Sequence, residues 1–246
     1  MLLYKCCIDV GLKNLAMCIT TSEASATHAS KKRGKNKKMN ECTEKGDILH
    51  WVVDNLLSAD PEKCHGLLKS GSPCTRNATY SLSDSFYCKT HVPIEGKPKK
   101  MKQTRVKDFN LQEIALFIIE YCNRLFETET FQMLKAQANV QILIELQPNC
   151  ARKMMFVSNV LFTKFTEFFD GKSIRFVRAS QKLNVLYTGP ELISTFKGYK
   201  LRKWQSIQYT KWFLNQFKET EKWLAYLETV KKQDDLCDTF LMCLNK

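Results

Sequence analysis

Three strand-length apolar runs precede the first helical pattern in this chain, and only afterwards do helices and strands alternate. Leu2–Asp9 and Asn14–Thr21 are separated by Gly11 and Lys13-Asn14, turn chemistry that predicts a β-hairpin. Asp47–Leu57 reads as a third strand. From Asn110 onward, Leu111, Ile114, Ala115, Ile118, Ile119, Cys122 and Leu125 recur at helical spacing, with Asp108 or Asn110 as a cap. Val140–Leu146 (VQILIEL) reads as a buried strand stopped by Pro148. Ala151–Phe169 reads as a helix ended by Asp170-Gly171, and Ser173–Ala179 as another strand. Pro190–Lys200 reads as a loop, Trp204–Val230 as helical and Asp234–Leu244 as a last helix. This order predicts an α/β domain built on a mixed sheet flanked by helices.

Two polar segments interrupt that pattern. Ser22–Gly46 has no periodicity, and its stretch Lys31–Lys38 holds six positive charges in eight residues, so residues 22–46 read as a flexible basic loop. Residues 58–107 carry most of the prolines, three cysteines, two histidines and a basic tail, and read as an inserted module with a basic linker. The main domain is then expected to be discontinuous, made of residues 1–57 and 108–246.

Charge narrows the partners. Across 246 residues, 38 Lys and Arg stand against 25 Asp and Glu, a formal net charge of +13, which points to a polyanion such as nucleic acid. The lack of an uninterrupted apolar run near 18 residues argues against a membrane-spanning helix. The opening MLLYKCCIDVGLKNLA places an Asp where a secretion signal needs apolar residues. The eleven cysteines are therefore expected to be free thiols or metal ligands in a reducing, intracellular setting.

Acids sit where they are costly. Asp9 closes an apolar strand, Glu145 lies inside another, and Asp235 and Asp238 lie three apart in DDLCDTFLMCL, on one helix face. Each alone has an ordinary reading: a strand-end turn, a strand glutamate paired with a lysine, an acidic first helical turn. Together they offer the hard oxygen ligands that Mg²⁺ prefers, and a carboxylate in an apolar strand demands a counter-charge. Two such ions about 3.5–4 Å apart suit phosphodiester hydrolysis.

CCIDVGLKNLA, ILIELQP and KKQDDLCDTFLMCL together resemble the RuvC-like Holliday junction resolvases of poxviruses and other large DNA viruses, a family that includes mitochondrial junction resolvases and has an RNase H-like fold. The resemblance covers Met1–Thr21 and Asn110–Lys246, while the two insertions have no place in it. It implies that Asp9, Glu145, Asp235 and Asp238 are the catalytic, metal-holding acids, with Gln147 and Pro148 following the glutamate. Asp234 is a close neighbour, but Asp235 has the three-residue spacing to Asp238. The family also places a basic residue after its fifth strand, for which Lys182 is the nearest candidate. It further implies a homodimer, with apolar faces of Asn110–Phe126 and Ala151–Phe169 serving either as that interface or as core.

Within the insertion, Cys64, Cys74, Cys88 and His91 form C-x9-C-x13-C-x2-H, with His65 a competing ligand. Three thiols and an imidazole suit one tetrahedral structural Zn²⁺, and the segment resembles small zinc modules of the type C-x-G-x4-G-x2-C followed by YC-x2-H. Nucleic-acid contacts are expected from Lys182, Lys200, Arg202 and Lys203, the last three with Tyr199 in a loop ahead of a helix. Lys31–Lys38 would add salt-sensitive affinity or act as a nuclear localisation signal.

The sequence thus predicts a Mg²⁺- or Mn²⁺-dependent endonuclease that cuts four-way DNA junctions as a homodimer away from membranes. If the chain is viral, it acts in host cytoplasm or at replication sites. Two other readings remain: a related nuclease for other branched DNA or RNA–DNA hybrid, and a noncatalytic nucleic-acid-binding protein.

Overall fold

The computed structural model describes residues 2–23, 46–57, 62–101 and 108–245. The Lys31–Lys38 run lies outside them. The chain divides into two compact units, one that runs to Leu56 and resumes at Leu111, and one spanning Leu57–Asn110.

The larger unit is built on a five-stranded mixed sheet flanked by helices, the fold class expected. β1 (Leu2–Asp9) and β2 (Leu15–Glu23) form the hairpin, and β3 (Asp47–Asp54) joins β2 antiparallel. Only glycine fits the hairpin turn at residue 11, where a Cβ would lie 2.5 Å from the Asn14 carbonyl oxygen. β7 (Val140–Leu146) and β8 (Ser173–Arg178) add parallel to β1, so the order is β3-β2-β1-β7-β8. β7 reads as a nearly continuous apolar run because a parallel strand in mid-sheet is covered on both faces.

Helices form the outer layers. α1 (Leu111–Phe126) packs on α3 (Arg152–Phe168), which lies over β7 and β8. Their apolar faces are core: Ile114, Ile118, Leu125, Val157, Leu161 and Phe165 are buried. The short helix α2 (Glu129–Ala136), which no periodicity suggested, adds Phe131 to the rings of Phe126, Phe165 and Phe169. On another side, α6 (Gln233–Leu244) packs on β1, β2 and α4 (Gly198–Leu214), joined by α5 (Thr220–Thr229). The continuous helix expected over Trp204–Val230 is broken at residues 215–219, where Glu219 adopts positive φ. The loop expected ahead of it is shorter: Tyr199–Lys203 are already in the first turns of α4.

α6 is held at both ends. Trp51 donates its indole N–H to the Leu236 carbonyl at 2.9 Å. The Lys5 ammonium donates to the carbonyls of Cys243 (3.0 Å) and Asn245 (2.6 Å), where a helix C-terminus favours a cation. These anchors decide which side chains of α6 face the ends of β1 and β7.

The smaller unit has a three-stranded sheet of β4 (Tyr80–Leu82), β5 (Ser85–Tyr87) and β6 (Lys99–Lys100), in the order β5-β4-β6. Its buried cluster consists of Cys64, Cys74 and Cys88. The cysteines among the described residues are all free thiols, and no described helix is long and apolar enough to cross a membrane.

Candidate active site

β1 and β7 run parallel with Ile8 opposite Ile144, so their C-terminal ends bring Asp9 and Glu145 to neighbouring positions. The register of β7 with β8 sets Val177 opposite Glu145. Parallel sheets gather functional groups at this edge because chains leave the strands there for loops. α6 supplies Asp238 from above.

Lys182, placed just after the 3-10 turn Ala179–Gln181, ties the three acids together. Its ammonium lies 3.1 Å from Asp9 Oδ2, 3.0 Å from Glu145 Oε1 and 2.9 Å from Asp238 Oδ2. Both Lys182 and Glu145 are buried, at 7% and 8% exposure. Lysine is rarely buried to that degree unless paired. Here it neutralises part of a strongly anionic pocket. Two further side chains hold the acids in place: Ser206 of α4 donates to Asp238 Oδ1 at 2.7 Å, and Gln147 donates to Glu145 Oε2 at 3.1 Å.

The electrostatics follow from crowding. Burial, with the hydrogen bond to Glu145, pushes Asp9 up to about 7 against the opposing pull of Lys182. Burial also raises Glu145, but the hydrogen bond from Asp9 and the Lys182 charge outweigh it and leave that carboxyl below its ordinary range. The two carboxyls are thus driven apart, Asp9 upward and Glu145 downward, so that Asp9 is the one that takes up a proton first. Burial raises Asp238, offset in part by Lys182 and Ser206. Asp235 is pushed to about 6 by burial and by the charges of Asp234 and Asp9. Burial alone would lower Lys182, yet Asp9, Asp238 and Glu145 drive it well above its ordinary value.

The expected site residues fall into three groups. Asp9, Glu145 and Asp238 converge, and Asp235 is near enough to feel the charge of Asp9. Asp234 instead pairs with Lys203. Lys182 and Lys203 are therefore engaged with carboxylates in this structure, and Lys203 also lies over the Tyr199 ring at 4.8 Å. Lys200 and Arg202 are exposed in the first turns of α4. The sequence pointed to Lys182 as a DNA contact and gave it no catalytic part, and it did not single out Ser206. Ser206 carries no local signal, being one hydroxyl in an ordinary helical stretch.

In the smaller unit, the ligand atoms of Cys64, Cys74, Cys88 and His91 all lie within 4.8 Å of one another. His91 Nδ1 is 3.4 Å from Cys64 Sγ and 3.6 Å from Cys88 Sγ. Backbone N–H groups of Gly66 and Cys88 donate to Cys64 Sγ at 3.4 and 3.2 Å. A side chain at residue 66 would collide with the His91 ring, whose nearest atoms are 2.5 Å from a Cβ built there. His65, the competing ligand, stands apart from this set and packs edge-on to Phe86. Three thiols and one imidazole are the donor set of a closed tetrahedral site, compatible with zinc.

No family model matches the chain. An uncharacterized protein of Acanthamoeba polyphaga mimivirus, L451, is 31% identical over 226 residues, covering 78% of this chain and 52% of the viral protein, so the chain spans about half the length of that relative. Among solved structures, the yeast mitochondrial Holliday junction resolvase Ydc2 aligns with a TM-score of 0.47 and 15% identity over 96% of this chain and 75% of that one. Thermus thermophilus RuvC aligns at 0.40 and 14% over 100% and 99%, and RuvC in complex with a Holliday junction substrate at 0.39 and 12% over 98% and 91%.

Proposed function

We propose that the larger unit is a metal-dependent endonuclease acting on branched DNA, with four-way junctions as the substrate and a homodimer as the working form. The observation that carries the nuclease reading is the gathering of Asp9, Glu145 and Asp238 around one buried ammonium, with Asp235 beside them. Such a pocket is short of positive charge, and its donors are hard oxygens, so Asp9, Glu145, Asp235 and Asp238 would hold Mg²⁺ or Mn²⁺. When bound, the divalent cations supply an activated water and neutralise charge on the phosphate being cleaved. The chain's own part is orientation: Ser206 and Gln147 hold two of the acids, and Lys182 offers a positive charge deep in the pocket. The choice of junction over other branched DNA rests on the sequence resemblance of the three acid-bearing segments.

The smaller unit is read as a structural zinc module. Its buried cluster is three cysteines, so ligand bonds take the place of an apolar core. The setting proposed is intracellular, where thiols stay reduced, and viral, like the mimivirus relative.

Glu145→Gln tests the central reading, because it keeps shape and removes one ligand charge. The variant should fold and bind junction DNA as wild type does, and lose Mg²⁺-dependent nicking by at least about 10²-fold. A panel of four-way junction, flap, plain duplex and RNA–DNA hybrid sorts the substrate. Cleavage by Glu145→Gln at near the wild-type rate would remove Glu145 from the active site.

A further inference from the structure

A cavity of about 270 Å³ beside the edge strand β8 has no part in the chemistry above. Leu143 and Met242 give it an apolar base. Its polar lining is Arg175 and Arg178 from β8, Gln181 and Asn184 from the segment that follows, and Asn245 beyond α6. No acid lines it. Among the described residues, neither guanidinium group has an ion pair or side-chain hydrogen bond, whereas the ammonium groups of Lys5, Lys182 and Lys203 all do. Asn245 donates to the Gln181 carbonyl, which fixes one side of the rim.

The cavity is also close to the acids. Arg175 pairs across from Leu143 and Arg178 from Leu146, so the two arginines bracket the level of Glu145 on the neighbouring strand. With about 4.8 Å between strands and about 3.3 Å per residue along them, their backbone lies within about 10 Å of Glu145. Gln181 immediately precedes Lys182 in the sequence.

We infer that this cavity is a phosphate subsite that seats a backbone phosphate of the nucleic-acid strand passing the carboxylates. The inference rests on the nuclease reading and goes beyond it by naming a second anchoring point. Guanidinium groups grip phosphate oxygens with two parallel hydrogen bonds and stay charged at all working pH values. Carboxamides add neutral donors that can turn to suit the anion. Uncompensated arginine charge at this edge, with Arg175 on the sheet face that carries Val177 and Arg178 at the strand end, lowers the cost of bringing a strand's charge toward acids that would otherwise repel it. A phosphate held here fixes the strand's position along the sheet, which a contact to backbone can do without reading sequence.

The test uses the full chain and labelled DNA in chelator, so that nothing is cut. Arg175→Gln/Arg178→Gln should bind both a four-way junction and a duplex at least about tenfold more weakly. Its plot of log affinity against log salt should be shallower by about 0.9, the change expected when one phosphate is no longer neutralised. Arg175→Lys/Arg178→Lys should recover the salt slope but only part of the affinity, because lysine keeps the charge and loses the fork. Excess inorganic phosphate, compared with sulfate-free chloride at equal ionic strength, should weaken wild-type binding and leave the glutamine variant unaffected. If wild type binds DNA in chelator and nicks it once Mg²⁺ is restored, while the glutamine variant matches it in affinity and slope, the subsite is wrong and the nuclease reading stands. If wild type binds no DNA, both fall.

Discussion

Asp9→Asn should make the metal-free protein more stable, and by an amount that depends on pH. Burial and the hydrogen bond to Glu145 raise Asp9 from 3.8 to about 7. The folded protein therefore holds a proton on Asp9 that the unfolded chain releases above about pH 4, and stability falls as pH rises through that window. Three pKa units at about 1.36 kcal/mol each give a loss of about 4 kcal/mol, complete above pH 7. Asparagine resembles the protonated acid: its N–H₂ donates to Glu145 and its oxygen accepts from Lys182. The variant should therefore equal wild type near pH 4 and exceed it by up to about 4 kcal/mol at pH 8. For a unit of this size that corresponds to roughly 8–16 °C in Tm. The assay is thermal and urea unfolding in chelator from pH 4 to 8. Added Mg²⁺ should narrow the gap, because a cation that binds only the folded wild type stabilises it. A gap of the same size at pH 4.5 and pH 8 would show that Asp9 is not buried against Glu145, and would refute the upward shift of Asp9.

Lys182→Met should act in the opposite direction. It leaves the buried Glu145 and the partly buried Asp9 and Asp238 without their cation, a loss of up to about 3–5 kcal/mol at pH 8 that shrinks at pH 5 as Asp9 and its neighbours take up protons. A pH-independent loss would mean that the methylene stem, and not the charge, was what mattered. In the smaller unit, Cys88→Ser should abolish binding of about one Zn²⁺ per chain and expose residues 62–101 to rapid hydrogen exchange, while exchange in β1 and β7 stays slow. Elemental analysis of wild type prepared without chelator that finds no zinc would refute the site.

The strand positions of Asp9 and Glu145 and the gathering of Cys64, Cys74, Cys88 and His91 were legible in the sequence because both rest on local chemistry. An acid in an apolar run is costly wherever that run folds, and C-x2-H keeps its ligands close in any context. The mixed sheet was legible for the same reason: a glycine-bearing turn makes a hairpin, and VQILIEL, short, apolar and stopped by Pro148, reads as a covered strand. Lys182 had only a loose family likeness, since one lysine among many after a strand carries no period and no motif. What singles it out is that β1, β7 and α6 leave three carboxylates facing one small volume, and a cation must fill it. Ser206 and the Lys203–Asp234 pair have the same origin, in the packing of α4 on α6. The start of α4 at Gly198 was missed because its first turns are set by that packing, while their polar, aromatic sequence has no helical stripe of its own. Sequence determines which groups are costly to bury. Which groups meet to offset that cost is decided by contacts between residues as far apart as Asp9 and Asp238, and only the tertiary structure makes those.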